Sequence, residues 1–285
     1  MEIGIGLPTT IPGVERSQVL EFARRAEARG FSSVGTIDRL VYGNYEPLIA
    51  LAAAAAVTER IRLVTSVLIA PLRRSGAMLA KQAATLDHFS GGRLVLGLAV
   101  GGREDDASAA GADFHRRGRE FEAMLAEMRR VWDGESFGFA GAIGPPAHPT
   151  VIIGGRVDAA FERAARFADG WVYGGGPPEG FVAGREKIQA AWLAAGRSGS
   201  PRAMSLTYFG LGEGAQETAE AYLKDYYAFL GPELAGAIAA GAAVGEEAVK
   251  ARVEAFAEAG CDELILFSGS TNPDQVDLLA DALSM

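Results

Sequence analysis

Three glycine clusters stand out in the sequence, two of them beside an arginine: Gly101-Gly102-Arg103, Gly154-Gly155-Arg156 and Gly174-Gly175-Gly176. Each follows a short apolar run. Glycine lets a backbone come close to a ligand and turn its N–H groups inward. Gly154-Gly155 stands just ahead of a helical pattern, so its amides sit at the positive end of a helix dipole, where phosphate binds well. Arg156 adds charge there. One such cluster also has an ordinary explanation in loop geometry; three of them favour a phosphate-bearing cofactor. Asp38-Arg39, after another apolar run, offers a charged pair, and Tyr42, Glu46 and Tyr208 are weaker candidates for a substrate pocket.

Other chemistries lack their residues. Gly4-Ile5-Gly6-Leu7-Pro8-Thr9 begins like a dinucleotide fingerprint but has no third glycine, and no Gly-Lys-Ser/Thr loop occurs. Lys81, Lys187, Lys224 and Lys250 all fall in helical patterns, which argues against a strand-end Schiff base. His88, His115 and His148 are too far apart to read as a metal set. A net charge of −9 with scattered basic residues argues against a nucleic-acid surface and leaves small molecules as partners. The most apolar stretch, 48–57, is far short of the roughly 20 residues of a membrane span. No export pattern opens the sequence, and Cys261 alone cannot form an internal disulfide; both suit a cytoplasmic protein. Cys261 itself reads as apolar filler ahead of a strand.

The elements that must position these residues alternate. Strands are expected at 2–7, 31–37, 61–69, 93–100, 150–153, 170–173, 204–210 and 262–267. Helices are expected at 17–29, 47–58, 76–89, 117–132, 157–167, 181–195, 216–230 with 233–259, and 274–283. Eight βα units in series point to one closed (β/α)8 TIM barrel over residues 1–285, with an open doubly wound sheet as the alternative. In a barrel the glycine clusters and Asp38-Arg39 would share the C-terminal rim, where barrel enzymes place their chemistry. The Gly/Pro-rich stretch 134–149 reads as a long loop with a small hairpin around Phe137 and Phe139. Segment 48–57 is apolar on every face, so it needs a second burial surface; a symmetric homodimer packed through it is the preferred reading, a covering loop the other.

Several segments, in order and spacing, resemble the luciferase-like flavin oxidoreductases: Ala26-Glu27-Ala28-Arg29-Gly30-Phe31, Thr58-Glu59-Arg60-Ile61-Arg62-Leu63, Gln82 to Arg93, Gly118-Arg119-Glu120-Phe121-Glu122, Ile153-Gly154-Gly155 and Ala168-Asp169-Gly170-Trp171. The resemblance implies a (β/α)8 barrel that binds reduced FMN or the deazaflavin coenzyme F420 at its C-terminal rim. It implies a non-proline cis peptide at Ser66-Val67 beneath the cofactor ring. It also implies cofactor contacts from Val100, Gly101 and Gly102, and a phosphate site at Gly154, Gly155 and the Gly174-Gly175 loop. The chain departs from the family where relatives carry Asp-His, since it has Asp38-Arg39, and where the sugar-phosphate dehydrogenase branch has a glutamate, since it has Gly102. Arg39 is therefore expected near the polar edge of the ring as a catalytic cation, with Asp38 holding it or binding ligand. The basic run from Phe114 to Arg119 could meet an acidic cofactor tail. The expected function is a monooxygenase or reductase acting on a small organic substrate, with a separate reductase as a candidate partner that supplies reduced cofactor. A flavin carrier without turnover and a phosphometabolite isomerase or lyase are the alternatives.

Overall fold

A computed structural model describes residues 1–285. Its strands are β1 (Glu2–Gly6), β2 (Ser33–Thr36), β3 (Arg62–Thr65), β4 (Leu68–Ile69), β5 (Leu94–Ala99), β6 (Thr150–Gly154), β7 (Gly170–Tyr173), β8 (Arg202–Gly210), β9 (Ala243–Val244) and β10 (Glu263–Ser268). All pairings between them are parallel, in the order β1-β2-β3-β5-β6-β7-β8-β10, and β10 pairs with both β8 and β1. That last pairing closes an eight-stranded barrel and removes the open-sheet alternative. β4 and β9 are short additions on β5 and β8.

The helices are α1 (Arg16–Ala28), α2 (Pro47–Ala55), α3 (Gly76–Ser90), α4 (Glu104–Ala109), α5 (Arg117–Trp132), α6 (Asp158–Phe167), α7 (Pro178–Ala194), α8 (Ala215–Tyr226), α9 (Pro232–Ala240), α10 (Glu246–Glu258) and α11 (Asp274–Ala282). None is long and apolar enough to cross a membrane. Side chains alternate along each strand, and the two sets pack separately. Val64, Val95, Ile152, Val172, Met204, Leu206, Ile265 and Phe267 fill the barrel. Leu63, Leu96, Ile153 and Leu264 face helix residues such as Phe22, Leu51, Leu79 and Phe121. Phe267 fits only because β1 has glycine opposite it: a Cβ on Gly6 would lie 2.0 Å from its ring.

Three expected elements differ in detail. The strand expected at 61–69 is two strands, parted at the Ser66–Val67 peptide, which is cis as the resemblance implied. The helical stretch 233–259 is broken at Gly241 to Gly245, where β9 joins the sheet and Gly245 (φ 89°) starts α10 from a conformation other residues avoid. α4 was not anticipated; its first turn holds Glu104, Asp105 and Asp106, a charge choice that suits a helix start but is also ordinary loop composition. The small hairpin is present, with Ser136 bridging Ala142 and Phe139 at its exposed tip.

The N-terminal end of the barrel is tied by a fully buried carboxylate. Glu263 accepts hydrogen bonds from Ser32 and Ser33, each 2.6 Å, and from Arg202 at 2.7 Å, with Arg62 at 3.1 Å. Both arginines also meet Glu2. Burial works against ionisation of Glu263, but the two hydroxyls and two guanidiniums outweigh it and hold the carboxyl below its ordinary range.

Candidate cofactor and substrate site at the barrel mouth

The C-terminal rim carries a cavity of about 480 Å³ between the ends of β6 to β8 and helix α9. One wall is glycine and cation: Gly174, Gly175 and Gly176, with Arg156 and Arg252. Gly175 (φ 91°) and Gly176 (φ 123°) adopt left-handed backbone, and a Cβ on Gly176 would stand 2.5 Å from the Tyr173 hydroxyl. Arg156 lies over the Tyr173 ring and donates to the Gly175 carbonyl at 2.9 Å. Arg252, from α10, donates to Thr207 Oγ1 at 3.0 Å and to the Gly241 carbonyl at 3.1 Å. The opposite wall is apolar, built by Leu230, Leu234, Ala237 and Ile238.

Tyr208 closes the floor. It shares the inward-facing set of β8 with Met204 and Leu206, and its hydroxyl meets that of Tyr227 at 2.8 Å. Burial raises both phenols well above or above their ordinary range, so both are neutral at neutral pH. The pair holds two protons and one mutual bond, which leaves one O–H donor spare. No histidine or carboxylate lines the cavity, so its uncharged O–H donors are these phenols and Thr207.

The sequence-selected residues divide into groups. Arg156, Gly174 and Gly175 line the cavity. Gly154 lies just beneath, packed on Val67 and Val172, and Gly155 (φ 140°) presents its carbonyl to Trp171 Nε1 at 2.8 Å. Val100 and Gly101 border a separate tight crevice beside Ile69 and Asp106, with the Gly101 carbonyl held by Arg117; Gly102 is exposed. Tyr42 hydrogen-bonds Asp225, and Glu46 caps α2.

Asp38 does not hold Arg39. Its carboxylate pairs with Arg73 and accepts the Ile69 amide at 2.8 Å, while Arg73 also binds Glu46 at 2.8 Å. Burial raises the Asp38 carboxyl despite the attraction of Arg73. Arg39, almost fully buried, instead donates to the Tyr226 carbonyl at 2.7 Å and lies 4.8–4.9 Å from the rings of Tyr42, Tyr226 and Phe229. Sequence adjacency suggested a pair, but successive strand-end residues face opposite ways. Asp38 follows the helix-facing side of β2 and Arg39 the mouth-facing side. Arg252 and Tyr227 are not legible in the sequence, because a lone arginine and a tyrosine on helical patterns carry no local signal.

Three buried hydroxyls have no partner: Thr9 Oγ1, Thr36 Oγ1 and Ser66 Oγ, at or just past the C-terminal ends of β1, β2 and β3 but outside the lining of the cavity. Buried polar groups are normally paired, and unpaired ones cluster where a ligand or water completes them. The glycine-and-arginine wall fits the phosphate of a cofactor, and the unpaired hydroxyls at the strand ends are free to meet polar atoms.

Fold and site thus define a parallel (β/α)8 barrel with a cofactor-type cavity on its C-terminal rim. Residues 1–276 match the family described as luciferase-like monooxygenase, and the chain belongs to that family. An uncharacterised protein of Mycobacterium tuberculosis is 36% identical over 174 residues, covering 56% of this chain and 61% of its own length. Another from the same organism is 32% identical over 192 residues, covering 56% and 66%. The chain therefore spans less than two thirds of these relatives. An FMNH2-dependent dimethylsulfone monooxygenase of Pseudomonas putida is 27% identical, covering 75% of this chain and 63% of its own. Among solved structures, a monooxygenase from Streptomyces bottropensis superposes with a TM-score of 0.80 at 24% identity, covering 100% and 99% of the two chains. An F420-dependent secondary alcohol dehydrogenase superposes with a TM-score of 0.81 at 18% identity, covering 99% and 97%.

Proposed function

We propose that this protein is an oxidoreductase that uses reduced FMN or the deazaflavin F420 to act on a small organic substrate at the barrel mouth. The observation that carries the reading is the cavity whose one wall is Gly174–Gly176 with Arg156 and Arg252 and whose other wall is apolar. Family membership and relatives that use FMNH2 or F420 support it.

Bound there, the cofactor would supply the redox chemistry, and the protein supplies binding, orientation and electrostatics. Arg156, Arg252 and the amides of Gly174 and Gly176 would hold the phosphate, the Gly175 amide being donated already to the Tyr173 carbonyl at 2.8 Å. The unpaired Ser66 and Thr9 hydroxyls would be available to polar atoms of the cofactor, and Val67 to its apolar face. Val100, Gly101 and Gly102 shape the rim beside Ile69. Arg39 keeps a positive charge at the mouth, and Asp38 fixes the end of β2 through Arg73 and Ile69. Tyr208, oriented by Tyr227, would donate a hydrogen bond to a substrate oxygen in the cavity. The apolar wall on α9 favours a substrate with a hydrocarbon face. A separate reductase would return the cofactor to its reduced form, a homodimer is the working assembly, and the free Cys261 suits the cytoplasm. The Cys261 thiol is buried and pushed up to about 12, which makes it inert as a nucleophile.

The test is a fluorescence titration of the protein with FMN and with F420, each oxidised and reduced. Micromolar or tighter binding of one of them is expected, and the preferred one is the cofactor. No binding of either in either state would overturn the reading and bring forward a phosphometabolite enzyme.

A further inference from the structure

The C-terminal turn of α8 and the short helical turn Ala228–Leu230 lie across the barrel mouth, and side chains from four rim loops or strand ends hold them there. Thr10, beyond β1, meets the Tyr222 hydroxyl at 2.6 Å. Tyr42, beyond β2, bonds Asp225. Arg103, beyond β5, lies 4.3 Å from the Phe229 ring centre. Tyr208, on β8, bonds Tyr227. In the middle stands Arg39.

The segment has two faces at a spacing of three residues. Tyr227 and Leu230 face the cavity. Tyr226 and Phe229 face Arg39. A guanidinium at a helix C-terminus meets the negative end of the dipole, and here it also donates to the Tyr226 carbonyl. Its planar fork stacks on rings while it donates, which an ammonium cannot reproduce fully. Arg39 is nearly fully buried, its only hydrogen-bond acceptor is that carbonyl, and its Nε has no partner. Asp106, the nearest carboxylate, stands 3.9 Å away and spends its other oxygen on the amides of Leu40 and Val41. The one hydrogen bond of the arginine therefore goes to α8, while its long ion pair with Asp106 Oδ2 is shared with Arg103, whose Nε lies 3.5 Å from that oxygen.

We infer that Arg39 is a positioning residue: it fixes Tyr226 to Leu230 across the mouth, so that Tyr227 and Leu230 form the outer wall of the cofactor and substrate cavity. This rests on the reading of that cavity given above. It assigns to Arg39 a role through the wall, and a ligand contact is not needed for its effect.

Backbone hydrogen–deuterium exchange on the full chain tests this without any ligand. In R39A, exchange over residues 226–242 rises at least tenfold, while β1, β5 and β10 keep their protection. R39K restores part of it, because the ammonium still reaches the Tyr226 carbonyl. F229A, at a half-exposed surface ring, gives a smaller rise in the same segment and guards against a poorly folding R39A. In the same variants, release of the cofactor identified by titration speeds up tenfold or more. Unchanged exchange in both R39A and F229A, or a uniform rise across the barrel, would overturn the inference. If the segment loosens yet no cofactor binds the wild type, the positioning role stands and the functional reading falls. If cofactor binds and its release is unaltered by R39A, the reading stands and the inference falls.

Discussion

Glu263 shows how much one side chain can carry at the residue scale. It is fully buried, yet four donors make it an anion, and it joins β10 to β2, β3 and β8 at the barrel's closed end. Breaking a buried ion network by removing one partner costs about 3–5 kcal/mol, because the remaining charges stay buried. Glu263→Gln keeps the shape and loses the charge, so it should cost about 3 kcal/mol, read by urea denaturation at neutral pH. The pH dependence has a definite sign. A carboxyl whose folded pKa is depressed contributes stability above its unfolded pKa of about 4.3, and that stability is lost as pH falls through the lower folded value. Wild type should therefore lose its advantage over the glutamine variant as the solution is acidified below about pH 4, and the two melting curves should converge. Parallel curves down to strong acid would mean that Glu263 is not the ionised centre.

At the scale of elements, the rim depends on glycine conformations that no other residue takes without strain. Gly176→Ala puts a Cβ where φ is 123° and where the Tyr173 hydroxyl already stands. Such strain costs on the order of 1–3 kcal/mol locally, in a loop that the barrel does not need for closure. The expected outcome is cofactor affinity down at least tenfold with little change in melting temperature; equal affinity would remove the loop from the phosphate site. The βα alternation, the rim location and this glycine loop were legible because each is a local pattern: apolar runs of period two, helical spacing, and a residue type with one conformational use. The seven residues from Gly170 to Gly176 carry the strand and its loop together. What stayed hidden was long-range. Arg73 reaches Asp38 over 35 residues and Tyr226 meets Arg39 over 187. Arg252 looks like any solvated helix arginine until α10 packs under β9. The path of α8 and α9 over the mouth is a packing outcome with no local signature, which is why Asp38 and Arg39 were paired with each other instead of with their partners.

For the whole molecule, the all-round apolar segment for which the sequence predicts a second burial surface takes a definite shape in the fold. α2 is apolar on every side, as its residues required, and no loop covers its outer face. Ile49 is 72% exposed and Phe89, at the far end of α3, is 83% exposed. Between them runs a trough of about 840 Å³ lined by Leu48, Ile49, Ala52, Met78, Leu86 and Phe89. Large apolar side chains flank a trough whose α2 side is Ala52, Ala55 and Ala56 and whose α3 side includes Lys81, Gln82 and Thr85; under a two-fold rotation the knobs of one copy would meet the trough of the other. A contiguous apolar patch of this kind on a soluble protein marks an interface. The trough also touches Glu46 and Arg73, the residues that fix Asp38, so a second copy would enclose the support of β2 as well as the apolar face. We therefore expect a homodimer in solution at micromolar concentration by sedimentation. Ile49→Asp combined with Phe89→Asp should place two charges against apolar surface in each half and yield monomers, with the dissociation constant raised at least a hundredfold. Since neither side chain supports the barrel core, the monomer should keep its far-ultraviolet circular dichroism. A wild-type monomer at high concentration, or a double variant that still dimerises, would refute this interface, and the apolar face of α2 would then need another partner.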